Sequence, residues 1–122
     1  MAAIAGIVLF AHGSRDERWR LPVEAVARRV QALDPSVRVA CAYLELVAPD
    51  LREATASLTA GGATAIRIVP LFLGMGRHAR EDLPHLVDEM RSLYPNVAFS
   101  LARAVGEEPD VIELLALKAL GR

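Results

Sequence analysis

The chain has 122 residues and a mass of 13.2 kDa, which admits one domain over residues 1–122 and no second of ordinary size. Apolar residues make up 53% and charged residues 24%, enough for a packed core and against disorder. Fourteen Lys and Arg against fifteen Asp and Glu give a net charge of −1, without the basic excess that nucleic-acid or anionic-membrane binding requires. Cys41 is the single cysteine, which excludes an internal disulfide framework and any multi-cysteine metal site.

Residues 4–11 are almost uniformly apolar, as expected of a strand buried on both faces of a parallel sheet. No basic residue precedes this run, so it does not read as a signal peptide, and no stretch approaches the ~20 apolar residues of a membrane span. The expectation is a soluble cytoplasmic protein. Residues 17–33 carry Val23, Val26, Ala27, Val30 and Leu33 at helical spacing, and Asp34-Pro35 stops them. A second strand follows at 37–45. The second helix is expected over 49–60, with Pro49 in its first turn and Gly61-Gly62 at its end.

The third strand spans 64–73 and includes Pro70, which donates no ladder hydrogen bond; a bulge or an end of pairing accommodates it. After the Gly-rich stretch GMGRHAR, a third helix is expected over 82–94, its apolar face being Leu83, Leu86, Val87, Met90 and Leu93. A fourth strand at 97–101 and a last helix at 109–120 complete a βαβαβαβα order. That order specifies an α/β fold, an open parallel four-stranded sheet flanked by helices. So small a sheet leaves an edge for a second subunit to cover.

Ligands of open parallel sheets bind outside the carboxyl ends of the strands. That rule selects Ala11-His12-Gly13-Ser14-Arg15 after strand one, Glu45 at the end of strand two, and Gly74 to Asp82 after strand three. His12 and His78 thus belong to one edge. Imidazole binds borderline divalent ions and accepts protons near neutrality, and Glu45 would complete a two-His, one-carboxylate site. His85, within the first turn of the expected third helix, reads as an ordinary helix-surface residue. Gly13, Gly74 and Gly76 allow tight turns and close approach to a ligand. Thirteen of the fourteen cations are arginine, and Arg15, Arg77 and Arg80 stand in the two histidine loops, as gripping an anionic substrate requires. Trp19 suits either a flat apolar contact or core packing. Cys41 is most simply a small buried apolar residue.

These blocks resemble a known family. Ala11-His12-Gly13-Ser14-Arg15, Tyr43-Leu44-Glu45 with Pro49, and Val69-Pro70-Leu71-Phe72-Leu73 leading to Gly76-Arg77-His78 and Asp82-Leu83-Pro84 are similar to the sirohydrochlorin chelatases, in particular their small CbiX-like branch. The resemblance implies a class II chelatase fold, flavodoxin-like, and insertion of Co²⁺, or Fe²⁺ or Ni²⁺, into a sirohydrochlorin-type tetrapyrrole on the cobalamin or siroheme route. By the same resemblance His12, His78 and Glu45 are the metal and catalytic residues, and the small members pair as homodimers. Arg15, Arg77 and Arg80, with Gly13, Ser14 and Gly76, are the expected substrate contacts. No organic cofactor, nucleic acid or membrane is expected. A non-catalytic metal carrier of the same fold is the alternative. A histidine phosphatase is a weaker one, because Ala11 stands where its motif places arginine.

Overall fold

An uninterrupted apolar segment is stable only with both faces covered, and Ala5–Ala11 is built that way as β1, an interior strand with neighbours on either side. The computed structural model describes residues 4–122; residues 1–3, at the head of the run read as no leader, lie outside them. The other strands are β2 (Arg38–Tyr43), β3 (Ala65–Pro70) and β4 (Ala98–Leu101). All pairings are parallel, in the order β2-β1-β3-β4. The expected fold class is therefore the observed one.

The alternation of β1 divides the core. Val8 and Phe10 point into a cluster with Leu51, Ala54 and Leu58 of α2 (Leu51–Ala60) and Leu83, Val87 and Met90 of α3 (Arg77–Leu93). Leu9 and Ala11 point the other way, toward Val23, Trp19 and Ala27 beneath α1 (Leu21–Leu33). Trp19 is thus a core residue, its ring set edge-on to Tyr43 at 5.8 Å. The last helix, α4 (Pro109–Ala119), buries none of its residues, and Ile112, Leu114 and Leu115 are exposed on it.

Several boundaries differ from the sequence expectation, each for a local reason. The segment expected as one helix over 17–33 starts as a 3-10 turn at Glu17–Arg20, and the α-helix proper begins beside Pro22, which suits a first turn. Pro49 lies outside α2. Asp50 caps that helix, accepting the Glu53 N–H at 2.8 Å while the Glu53 carboxylate accepts the Asp50 N–H, a reciprocal pair that outweighs the preference of proline for the first turn. Pro70 is the last residue of β3. The next residue, Leu71, donates to Phe10 on the β1 side, so alternation aims the Pro70 nitrogen toward β4, whose register ends at Ile68↔Leu101. An end of pairing is the solution adopted.

Candidate functional site

Strand order fixes where a ligand can sit. From β1 the chain moves outward to β2, then returns past β1 to β3 and on to β4, so the direction of winding reverses between β1 and β3. At such a switch point the loops after the two strands diverge and open a crevice. His12 leaves β1 there, and the segment from β3 to the start of α3 delivers His78 to the same edge.

Neighbouring loops are fastened together at this edge. The Leu44 N–H donates to the Ala11 carbonyl at 2.8 Å, tying the β2 loop to the end of β1. A Cβ on Gly13 would lie 1.3 Å from the carbonyl oxygen of Glu45, so only glycine permits that contact. Beyond β3, the buried Phe72 presents its ring to the His12 imidazole, with centroids 4.3 Å apart and planes at 31°. Phe72 rests edge-on against Phe10 at 5.9 Å, which anchors it to the core. The loop after β4 closes the row. The Gly106 N–H donates to the Phe72 carbonyl at 2.9 Å, and a Cβ on Gly106 would fall 2.0 Å from the Leu73 carbonyl oxygen.

His78 is not a loop residue as expected. The third helix begins at Arg77, five residues earlier than the sequence suggests, with Gly76 at its N-cap. Pro84 is inside the helix and forfeits only its own bond to the preceding turn, while Leu83, Val87 and Met90 keep the helix on the core. The first turn holds Arg77, His78 and Arg80 and no acidic residue. Cations at the positive end of a helix are unfavourable until an anion approaches.

His12, His78 and Glu45 are all exposed. Among the described residues, no group of three or more His, Cys, Asp or Glu side chains is close enough to hold a metal ion. Arg77 is engaged with Glu81 at 3.2 Å, whereas Arg15 and Arg80 form no ion pair among the described residues. The Ser14 hydroxyl accepts the Asp16 N–H at 3.1 Å, which shapes its own loop. Gly74 and Gly76 have nothing within 4 Å of a built Cβ and leave that space open.

The remaining candidates lie elsewhere. His85, beyond the first turn of α3, borders a 350 Å³ cavity with Arg52, Asp82 and Glu89, whose lining does not include His12 or His78. A larger cavity of 540 Å³, around Gln31, Arg38 and Gly61, contains no histidine or carboxylate. Burial pushes the Cys41 thiol above its ordinary value and the Glu24 carboxylate adds to that, so Cys41 is a poor nucleophile. Sequence reading missed Phe72 and Gly106. Phe72 follows Pro70 by two residues, as His12 follows Phe10, and Phe10 and Pro70 are register partners. Register alone would have paired His12 with Phe72.

The family model described as CbiX matches residues 6–119 of this chain. A sirohydrochlorin cobaltochelatase of Priestia megaterium is 27% identical over 109 residues, which are 89% of this chain and 35% of the relative. A sirohydrochlorin ferrochelatase of the same organism is 29% identical over 110 residues, 89% of this chain and 41% of the relative. The chain thus spans about two fifths or less of the length of these curated relatives. A crystal structure of a CbiX protein from Marinobacter aquaeolei VT8 superposes with a TM-score of 0.78 at 30% identity, covering 97% of this chain and 98% of that one.

Proposed function

The chain belongs to the CbiX family, and we propose on that basis that it inserts a divalent metal, cobalt in the first instance, into a sirohydrochlorin-type tetrapyrrole. The observation that carries this reading is the delivery of two exposed histidines, His12 and His78, to the β1/β3 switch point. Insertion exchanges two pyrrole N–H protons for one M²⁺, so the reaction needs a ligand for the ion and bases for two protons. A neutral imidazole supplies both by turns. Its lone pair holds the metal and, once the ion passes to the pyrrole nitrogens, accepts a proton. The Phe72 ring limits how the His12 imidazole can tilt. Glu45 offsets the charge of the arriving cation or relays a proton to water.

Arg15, Arg77 and Arg80 would meet the carboxylates on the substrate rim, at a helix terminus that already favours anions. Gly13 and Ser14 shape the loop that carries His12, and the open space at Gly76 admits the macrocycle beside His78. Chelation at a fixed oxidation state needs no organic cofactor. We place the reaction in the cytoplasm and in a homodimer. The pairing is supported by α4, whose Ile112, Leu114 and Leu115 remain exposed as a second copy would require. Among the described residues, no helix is long and apolar enough to cross a membrane.

The test mixes the protein with sirohydrochlorin and Co²⁺, Fe²⁺ or Ni²⁺ at matched free concentrations and follows the visible spectrum. Acceleration over the protein-free rate is expected, most with Co²⁺. Metal binding with no acceleration for any ion would replace the chelatase reading with that of a carrier.

A further inference from the structure

Two leucines beside His12 are placed where a soluble protein gains nothing from them. Leu46, in the loop after β2, is 56% exposed, and Leu73, in the loop after β3, is 74% exposed. In the strand order β2-β1-β3 they flank the His12 loop on either side. A scattered exposed leucine is ordinary, but these two differ in how their backbones are held. Leu46 has φ +71°, in the left-handed region that leucine seldom adopts. Its neighbour Glu45 has its carbonyl against Gly13, and the carbonyl of Leu73 itself lies against Gly106. Neither contact leaves room for a Cβ, so both loops are pinned in positions that keep the side chains out in water.

We infer that Leu46 and Leu73 form the apolar walls of the substrate site, packing against the flat face of the tetrapyrrole on either side of the His12 imidazole. The occupant follows from chemistry at the same edge. Its rim must be anionic to suit Arg15, Arg80 and the α3 terminus, and its face must be apolar to suit two leucines. A carboxylated macrocycle has both properties. A second copy of the chain would cover two leucines but has no need of an anion-seeking helix terminus beside them. The inference rests on the proposed chelatase reading and adds to it the residues that bind the ring itself.

The test titrates metal-free sirohydrochlorin into the wild-type protein and into Leu46→Gly, Leu73→Ser and Leu73→Met, reading absorbance. Leu46→Gly relieves the left-handed backbone and should fold at least as well as wild type, so lost binding there is not lost folding. Each of Leu46→Gly and Leu73→Ser should raise Kd about tenfold, as expected for removing one leucine contact. Leu73→Met should bind as wild type does, whereas Leu46→Gly and Leu73→Ser should raise KM with kcat retained. Wild-type binding with Leu46→Gly and Leu73→Ser each within about twofold of it would overturn this inference and leave the chelatase reading standing. So would variants that lose the dimer in sedimentation while the monomer binds normally. Absence of wild-type binding would remove both readings together.

Discussion

The imidazole of His12 lies on the ring of Phe72, 4.3 Å between centroids, although the two residues leave different strands. The contact couples the exposed His12 side chain to the core, because Phe72 is buried and rests on Phe10. Replacing Phe72 with leucine keeps an apolar residue but removes the flat support. A loss of about 1 kcal/mol in urea unfolding is expected, with kcat reduced severalfold and KM little changed. An unaltered kcat would show that the support is structural only.

His12→Ala and His78→Ala should each abolish most metal insertion while leaving the far-ultraviolet circular dichroism as it is, since both residues are exposed. The wild-type rate should also fall on acidification, because a protonated imidazole neither ligates a metal nor accepts a proton. Full turnover by both variants, followed by absorbance, would remove the histidines from the mechanism.

The edge that carries these residues was legible because parallel strands place their following loops together whatever the loops contain. Residues 4–11 announced a doubly covered strand, and the order of elements followed. The start of α3 was not legible: Gly74 and Gly76 made the whole stretch up to Arg80 read as loop, yet the helix begins directly after Gly76, and the apolar stripe of Leu83, Val87 and Met90 holds it on the core. For Pro49 two rules competed. Proline favours a first turn, but Asp50 with Glu53 three residues on is a capping box, and that pattern was present to be read. The left-handed φ of Leu46 has no sequence signature, since leucine is not a residue that seeks it.

Glycines at the site separate into two kinds. Gly13→Ala should destabilise the protein by at least about 2 kcal/mol in chemical unfolding, because its Cβ would meet the Glu45 backbone 1.3 Å away, and neither loop can yield without breaking the other. Gly76→Ala meets nothing within 4 Å at φ −66° and should stay within about 0.5 kcal/mol of wild type. If Gly76 leaves space for substrate, that variant binds sirohydrochlorin more weakly at unchanged stability. Equal stabilities of the two variants would contradict the loop contact.

The arginines should not contribute equally. Arg77 already has Glu81 at 3.2 Å, an exposed pair one helical turn apart that partly cancels its charge toward a ligand. Arg15→Ala and Arg80→Ala should therefore raise KM more than Arg77→Ala. Their effect should shrink as salt is raised from roughly 0.05 to 0.5 M, since screening weakens exposed charge pairs. The largest KM increase in Arg77→Ala would reverse this order.

Away from the site, one substitution should strengthen the fold. Thr55 is fully buried in α2 among Leu51, Ala54 and Leu58, and its hydroxyl has no hydrogen-bond partner among the described residues. Taking a hydroxyl out of water without a partner costs about 1–3 kcal/mol. Valine has nearly the same shape and the same β-branch, so Thr55→Val removes that cost without opening a cavity. A gain of about 1 kcal/mol is expected, or roughly 4 °C in Tm, with chelation unchanged because the residue is in the core rather than at the carboxyl edge. Thr55→Ser is the control, since it keeps the hydroxyl and drops the methyl, and it should lose about 1 kcal/mol. A Thr55→Val protein less stable than wild type would mean that the hydroxyl is hydrogen-bonded after all.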